Sequence, residues 1–311
     1  MTGRTLPAAS THAAFLAETQ AAEGHIVDQL IEERCPSFVG HWSWPAVRPT
    51  LYSLLGYRKA RRTTDYLQTL NGGDSFDYLT GELSVKLTLA QMERMPRQGR
   101  LIVAANHPTG LADGVAVWDA LRQVRRDIVF FANADALRVN PGFSDALIPV
   151  EWVLEKRSPA KTRETLRLAK EAFAAEKCVV IFPSGKLARK VDGVLTEQEW
   201  MPSAVSLARK YKCPVQPLNL QAKNSWLYYF FAKVNGELRD ITLFHELLNK
   251  QGSAFDMTFG PLIDSNLLNG DVGELTKSLR DYVANQVAVQ PDVPFADYLD
   301  AQASQSSTLS R

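Results

Sequence analysis

The stretch Leu101-Ile102-Val103-Ala104-Ala105-Asn106-His107-Pro108-Thr109-Gly110-Leu111-Ala112-Asp113 decides the fold. Its first five residues are apolar without alternation, the pattern of a strand buried on both faces of a parallel sheet. Pro108 and Gly110 then stop that strand within a few residues. His107 therefore sits where a strand ends, which in an open α/β sheet is the crevice where ligands bind. Val115, Val117, Trp118 and Leu121 follow at roughly helical spacing, so Asp113 opens a helix whose first turn folds back beside the strand end. A His and an Asp can meet there. Such a pair suits removal of a proton from a hydroxyl, with neutral imidazole as base and the carboxylate fixing its tautomer. The other reading of the same residues is a packed turn histidine beside an N-terminal helix cap.

Outward from this stretch, apolar runs alternate with helical patterns: Ile128 to Ala132, a helix at 161–176, Cys178 to Phe182, a helix at 203–211, and Val215 to Leu220. Phe255 to Phe259 reads as a further strand, and an amphipathic helix carries Leu275, Leu279, Tyr282, Val283 and Val287. The alternation predicts an α/β fold, a single layered domain with a mostly parallel sheet flanked by helices, plus an N-terminal helical segment. Residues 12–33 look helical, and Asn71-Gly72-Gly73-Asp74 reads as a linker. The expected division is an N-terminal helical segment over 1–73, the main domain over 74–290, and a polar tail over 291–311 that is Ser/Gln-rich and loose from Ala301.

In the N-terminal segment, Trp42, Trp44, Leu51, Tyr52, Leu54, Leu55 and Tyr57 precede Arg58, Lys59, Arg61 and Arg62. Anchors beside cations suit a helix lying at an anionic bilayer surface; the alternative is a helix packed on its own domain with a solvated basic end. Lys+Arg 35 against Asp+Glu 34 leaves a formal charge of +1, which points to no nucleic-acid partner. Cys35, Cys178 and Cys213 are scattered and odd in number, which argues for a reducing compartment, the cytoplasm. Met1 to Gln20 lacks an apolar run of signal-peptide length, and no membrane-spanning run of about 18 apolar residues occurs.

A second strand, Cys178 to Phe182, ends in Pro183-Ser184-Gly185-Lys186 as the first ends at His107. Two parallel strands place both turns on one edge of the sheet, where Gly185 lets backbone approach a ligand. There Lys186, with Arg189 and Lys190, offers charge to a phosphate or carboxylate. Alone, these residues also read as an ordinary turn with solvated cations. Asn224 to Phe231 is an aromatic run without charge, which fills a core in most proteins and can also line an acyl tunnel or touch lipid.

Asn106-His107-Pro108-Thr109-Gly110 with Asp113 resembles the first motif of the glycerolipid acyltransferases, in the haemolysin-like branch that includes lyso-ornithine-lipid acyltransferases. The usual motif has one fewer residue between His and Asp; the longer spacing is associated with this branch. Phe182-Pro183-Ser184-Gly185 resembles the family's third motif, with Ser184 where an acidic residue often stands. Glu155-Lys156-Arg157 lies in the place of the second motif, whose Arg binds the acceptor head group; Arg157 is the nearest match, with Lys156 and Arg138 as substitutes. Pro214-Val215-Gln216-Pro217, Asn224-Ser225, Leu238-Arg239 and His245-Glu246-Leu247-Leu248-Asn249-Lys250 have counterparts in the same order, so the resemblance runs from about Phe76 to Ile263.

The resemblance implies a peripheral enzyme on the cytoplasmic face of the membrane. It moves a fatty acyl group from an acyl carrier protein or CoA thioester to the hydroxyl of a lysolipid acceptor, of the lyso-ornithine lipid or lysophospholipid type. It assigns His107 and Asp113 to catalysis, and Asn106, Thr109, Gly110, Arg157, Pro183, Ser184, Gly185 and Lys186 to substrate binding. No metal or other cofactor is expected. A thioesterase or lipid hydrolase using the same dyad, and a silent lipid-binding protein, are the alternatives. His245-Glu246 lacks the second His of a zinc protease helix, Ser184 lacks the glycine spacing of a nucleophile elbow, and no glycine-rich nucleotide motif occurs.

Overall fold

A computed structural model describes residues 12–16 and 24–309. Its strands are β1 (Lys86–Ala90), β2 (Leu101–Ala105), β3 (Ile128–Asn133), β4 (Leu147–Val150), β5 (Cys178–Ile181), β6 (Arg189–Val191), β7 (Val194–Thr196), β8 (Val215–Gln221) and β9 (Ala254–Phe259). Seven of them form one sheet in the order β1-β9-β8-β2-β5-β3-β4, and β6 pairs with β7 as a separate hairpin. β8, β2, β5, β3 and β4 are mutually parallel, while β9 runs antiparallel to β8 and carries β1 with it. This is an α/β fold with a mostly parallel sheet flanked by helices.

The central position of β2 explains its composition. Leu101, Val103 and Ala105 point into one hydrophobic cluster and Ile102 and Ala104 into the other, so both faces are covered and no residue can be polar. β9 instead buries Phe255, Met257 and Phe259 and exposes Asp256, the alternation of a strand with one wet face.

The N-terminal helices depart from the sequence reading. Gly24 in the left-handed region and extended His25 precede the helix Ile26–Arg34, so 12–33 is not one helix; residues 17–23 of that expectation lie outside the described residues. Gly56, with φ +70°, divides Trp42–Arg62 into the helices Trp44–Leu54 and Tyr57–Leu67. A third core joins Val27, Ile31, Trp44, Tyr52 and Leu55 to Ile241 and Leu248. Trp44 is thus an internal residue, whereas Trp42 is 87% exposed.

The stretch Asn71 to Asp74 is a helix start and not a linker. The Asn71 side chain accepts the Asp74 N–H at 2.8 Å and caps the helix Gly72–Leu83. A Cβ on Gly72 would lie 2.3 Å from Asp145 Oδ1, so this glycine permits close packing instead of flexibility. A boundary after residue 73 would cut this helix. The C-terminal stretch differs too: Phe295–Leu309 is a helix, with Phe295 buried against Tyr282 and Tyr298.

Candidate functional site

The carboxyl ends of β2, β5 and β8 meet at His107. The helix Leu111–Leu121 starts immediately after the turn and places Asp113 in its first turn, fully buried. Asp113 Oδ2 accepts His107 Nδ1 at 2.9 Å, Thr109 N at 2.8 Å and Gly110 N at 3.0 Å, and Oδ1 accepts the Thr109 hydroxyl. With Nδ1 donating to an ionised carboxylate, Nε2 on the far side of the ring carries the lone pair. Gly110, with a φ of +91°, turns the chain into the helix.

His107 is held by ring stacking and through its backbone. Phe182 stacks on it with ring centroids 4.3 Å apart and planes at 21°. Its backbone N–H donates to Glu197 Oε2 at 3.0 Å and its carbonyl accepts Ala188 N–H at 2.9 Å. The ring keeps 15% of its side-chain surface open. Burial raises the Glu197 carboxyl above the ordinary carboxylate range, opposed by the N–H of His107 and by the Ser184 and Trp200 side chains.

The other residues singled out by sequence occupy different places. Asn106 is buried and pairs its carboxamide with Leu220: Nδ2 donates to the carbonyl at 2.9 Å and Oδ1 accepts the N–H at 2.7 Å. It clips β2 to β8. Thr109 and Gly110 act on Asp113. Ser184 is buried and donates to the Lys186 carbonyl at 2.9 Å, and the Pro183 carbonyl accepts Met201 N–H at 2.9 Å. Gly185, with φ +57°, leaves room for a neighbouring indole: a Cβ there would come within 2.0 Å of Trp152, so its close approach is to protein and not to ligand. Lys186 is exposed.

Trp152 also brings the 150–157 loop against the third-motif turn. On that loop Arg157 Nε donates to the Glu151 carbonyl at 3.0 Å, and Arg157 lines a surface hollow with Glu151, Lys161 and Thr165. Arg138 and Lys156 both pair with Glu33, so neither substitutes for Arg157 without breaking an ion pair. Arg138, by hydrogen bonding, holds the Glu33 carboxyl at about 2, against the cost of its burial.

Beyond β8, Asn224 N–H donates to the Tyr229 hydroxyl at 3.3 Å, while both polar atoms of the buried Asn224 carboxamide lack a protein partner. Burial raises the Tyr229 hydroxyl, with the Glu246 and Asp113 carboxylates adding to the effect. Glu246 accepts Ser225 N–H at 2.8 Å and Lys250 Nζ at 2.7 Å. Ser225 in turn caps the helix Trp226–Val234, which ties the Asn224-Ser225 and His245 to Lys250 stretches into one network. Glu197 was invisible as a site residue because no motif marks it; only proximity in the fold does.

The Glu246–Lys250 pair is almost completely buried. Glu246→Gln is expected to destabilise the protein by about 3 kcal/mol, because a buried ammonium loses its counter-charge. Burial raises the Glu246 carboxyl, but hydrogen bonds from Lys250 and Ser225 outweigh it and leave the group below its ordinary value. Its contribution is therefore complete above the ordinary carboxylate range and lost as pH falls through the folded value. Melting temperatures of wild type and variant should converge on acidification; a gap that stays constant would contradict this.

Fold and site together define an α/β protein with a histidine–carboxylate pair at the carboxyl edge of a parallel sheet. A model of the acyltransferase family matches residues 86–221, the span from β1 through β8. That span of the chain is similar to the acyltransferase family. The chain is 24% identical over 184 residues to the lyso-glycine lipid O-acyltransferase of Phocaeicola vulgatus, covering 57% of this chain and 64% of that protein. It is 23% identical over 184 residues to the protein of the same name from Bacteroides thetaiotaomicron, covering 57% of this chain and 66% of that one. The matches thus span just under two thirds of the length of these curated relatives. The crystal structure of the 1-acyl-sn-glycerophosphate (LPA) acyltransferase PlsC from Thermotoga maritima aligns with a TM-score of 0.44 at 18% identity, over 77% of this chain and 90% of that one.

Proposed function

We propose that the protein transfers a fatty acyl group from a thioester to the hydroxyl of a lysolipid acceptor. The observation that carries this reading is the His107–Asp113 hydrogen bond, which leaves Nε2 as the basic nitrogen at the open side of the strand end. In this reading Nε2 takes the hydroxyl proton as the oxygen attacks the thioester carbonyl. The carbon–sulfur bond then breaks, and the imidazolium returns the proton to the leaving thiolate. Asp113 keeps Nδ1 protonated and stabilises the imidazolium.

The names of the relatives favour a lysolipid of the lyso-glycine type, built on an amino acid as lyso-ornithine lipid is, over a lysophospholipid. The Ser184 turn agrees with that preference only in lacking the acidic residue often found there. Acyl carrier protein and CoA are the two candidate donors. In this reading Lys186 and Arg157 are the cations that meet a charged head group. Among the described residues no helix is long and apolar enough to cross a membrane; membrane contact in this reading is peripheral, on the cytoplasmic side.

The test is the fate of a radiolabelled acyl group supplied as carrier-protein or CoA thioester together with a lysolipid. Label in the acylated lipid supports the transferase. Label only as free fatty acid would make the protein a hydrolase, and unreacted thioester with retained lysolipid binding would make it a silent binder.

A further inference from the structure

Four segments surround His107, and each turns an apolar side chain outward. Leu111 follows Gly110 at the first turn of the helix that carries Asp113. The β6–β7 hairpin springs from Ala188, which is bonded to the His107 carbonyl, and exposes Val191 and Val194 at its tip. Met201, bonded to Pro183, is exposed beside the Phe182 turn. On the helix Trp226–Val234, Trp226 and Phe230 lie one turn apart, and Trp226 is 76% exposed. Lys190 Nζ sits 4.1 Å above the Tyr229 ring, which joins the hairpin to that helix. The aromatic run is therefore not core: of its rings and aliphatic groups only Tyr228 is buried.

Charge is biased on the same segments. Lys186, Arg189, Lys190, Lys223 and Lys233 are exposed, against the exposed acids Asp192 and Glu199, while Glu197 turns inward to His107. Apolar groups at a tip and a helix face, backed by cations, match the layering of an anionic bilayer surface, with acyl region inside and phosphates above. A second copy of the chain would set these cations against each other, and an acidic protein would leave Trp226 and Val194 without an apolar counterpart.

The geometry points to this rim as the surface that seats on an anionic bilayer, with Trp226, Phe230 and the hairpin valines in the interface, so that a lysolipid reaches His107 without leaving the membrane. The inference rests on the lipid-acceptor reading above. It differs from the placement suggested by Trp42 to Arg62. There Trp44 and Tyr52 face inward, Lys59 donates to the Leu248 carbonyl, and the cations ride on the N-terminal helices instead of the strand ends.

The full chain, a Trp226→Ser/Phe230→Ser double variant and an Arg58/Lys59/Arg61/Arg62→Gln variant are cosedimented with phosphatidylcholine vesicles with and without phosphatidylglycerol. Removing two interfacial aromatics is expected to cut partitioning into anionic vesicles by roughly tenfold or more. The four-fold Gln variant should retain most of its binding. Salt should weaken binding of the wild type only in part, because the apolar share is not screened. Equal partitioning of the aromatic variant and wild type would overturn the inference, as would loss confined to the Gln variant. Transfer to a short-chain lysolipid dispersed as monomers separates the two readings. The aromatic variant should match wild type there; a wild type that partitions but transfers nothing would refute the acyl-transfer reading and leave the docking surface standing.

Discussion

Replacing His107 with alanine is expected to lower the rate of the proposed acyl transfer by about a hundredfold or more, as for loss of a positioned general base. The fold should survive. The ring lies at a strand end against Phe182, outside both sheet cores, and Asp113 keeps the Thr109 and Gly110 donors when the imidazole is gone. Transfer assays and thermal melts of the purified variant check the two halves separately. A variant that melts with wild type but retains more than about a tenth of its rate would remove His107 from the chemistry.

Asp113→Asn is expected to reduce the rate by roughly a hundredfold to ten-thousandfold with little change in stability. The hydrogen bonds explain the separation. Oδ2 receives His107, Thr109 N–H and Gly110 N–H, whereas Oδ1 receives only the Thr109 hydroxyl, which can rotate to accept instead of donate. An asparagine can therefore keep its oxygen toward the three N–H groups and its amide toward Thr109. What it cannot do is stabilise the imidazolium that forms during the reaction. A variant with near-normal rate would reduce Asp113 to the helix-capping role that its position also serves.

Much of this was legible in the chain because the relevant signals are local. Leu101 to Ala105 reads as a two-faced strand since every side chain must be apolar between two cores, and a Pro-Thr-Gly sequence must end it. The meeting of His107 with Asp113 follows from one strand end and one helix start. In the N-terminal segment composition left two readings open, and the internal one holds for part of it. Trp44 and Tyr52 looked like membrane anchors, but Ile241 and Leu248, some two hundred residues away, supply an internal surface for them. Asn71-Gly72-Gly73 looked like a linker because glycine marks both flexible chain and close contact, and only Asp145 and Ala146 on the other side decide which applies. The pairing of Asn106 with Leu220 and the bond from Ser184 to the Lys186 carbonyl were not legible for a similar reason: each joins a side chain to backbone groups that no spacing rule foretells.

The most direct measurement of the central claim, that His107 and Asp113 work as one unit in acyl transfer, is a double-mutant cycle on kcat/KM for transfer to the lysolipid. His107→Ala, Asp113→Asn and the double variant are compared with wild type. Because Asp113 acts through the imidazole, the double variant should be no slower than His107→Ala within a few-fold. Losses that multiply, so that the double variant falls below His107→Ala by the full factor of Asp113→Asn, would contradict it.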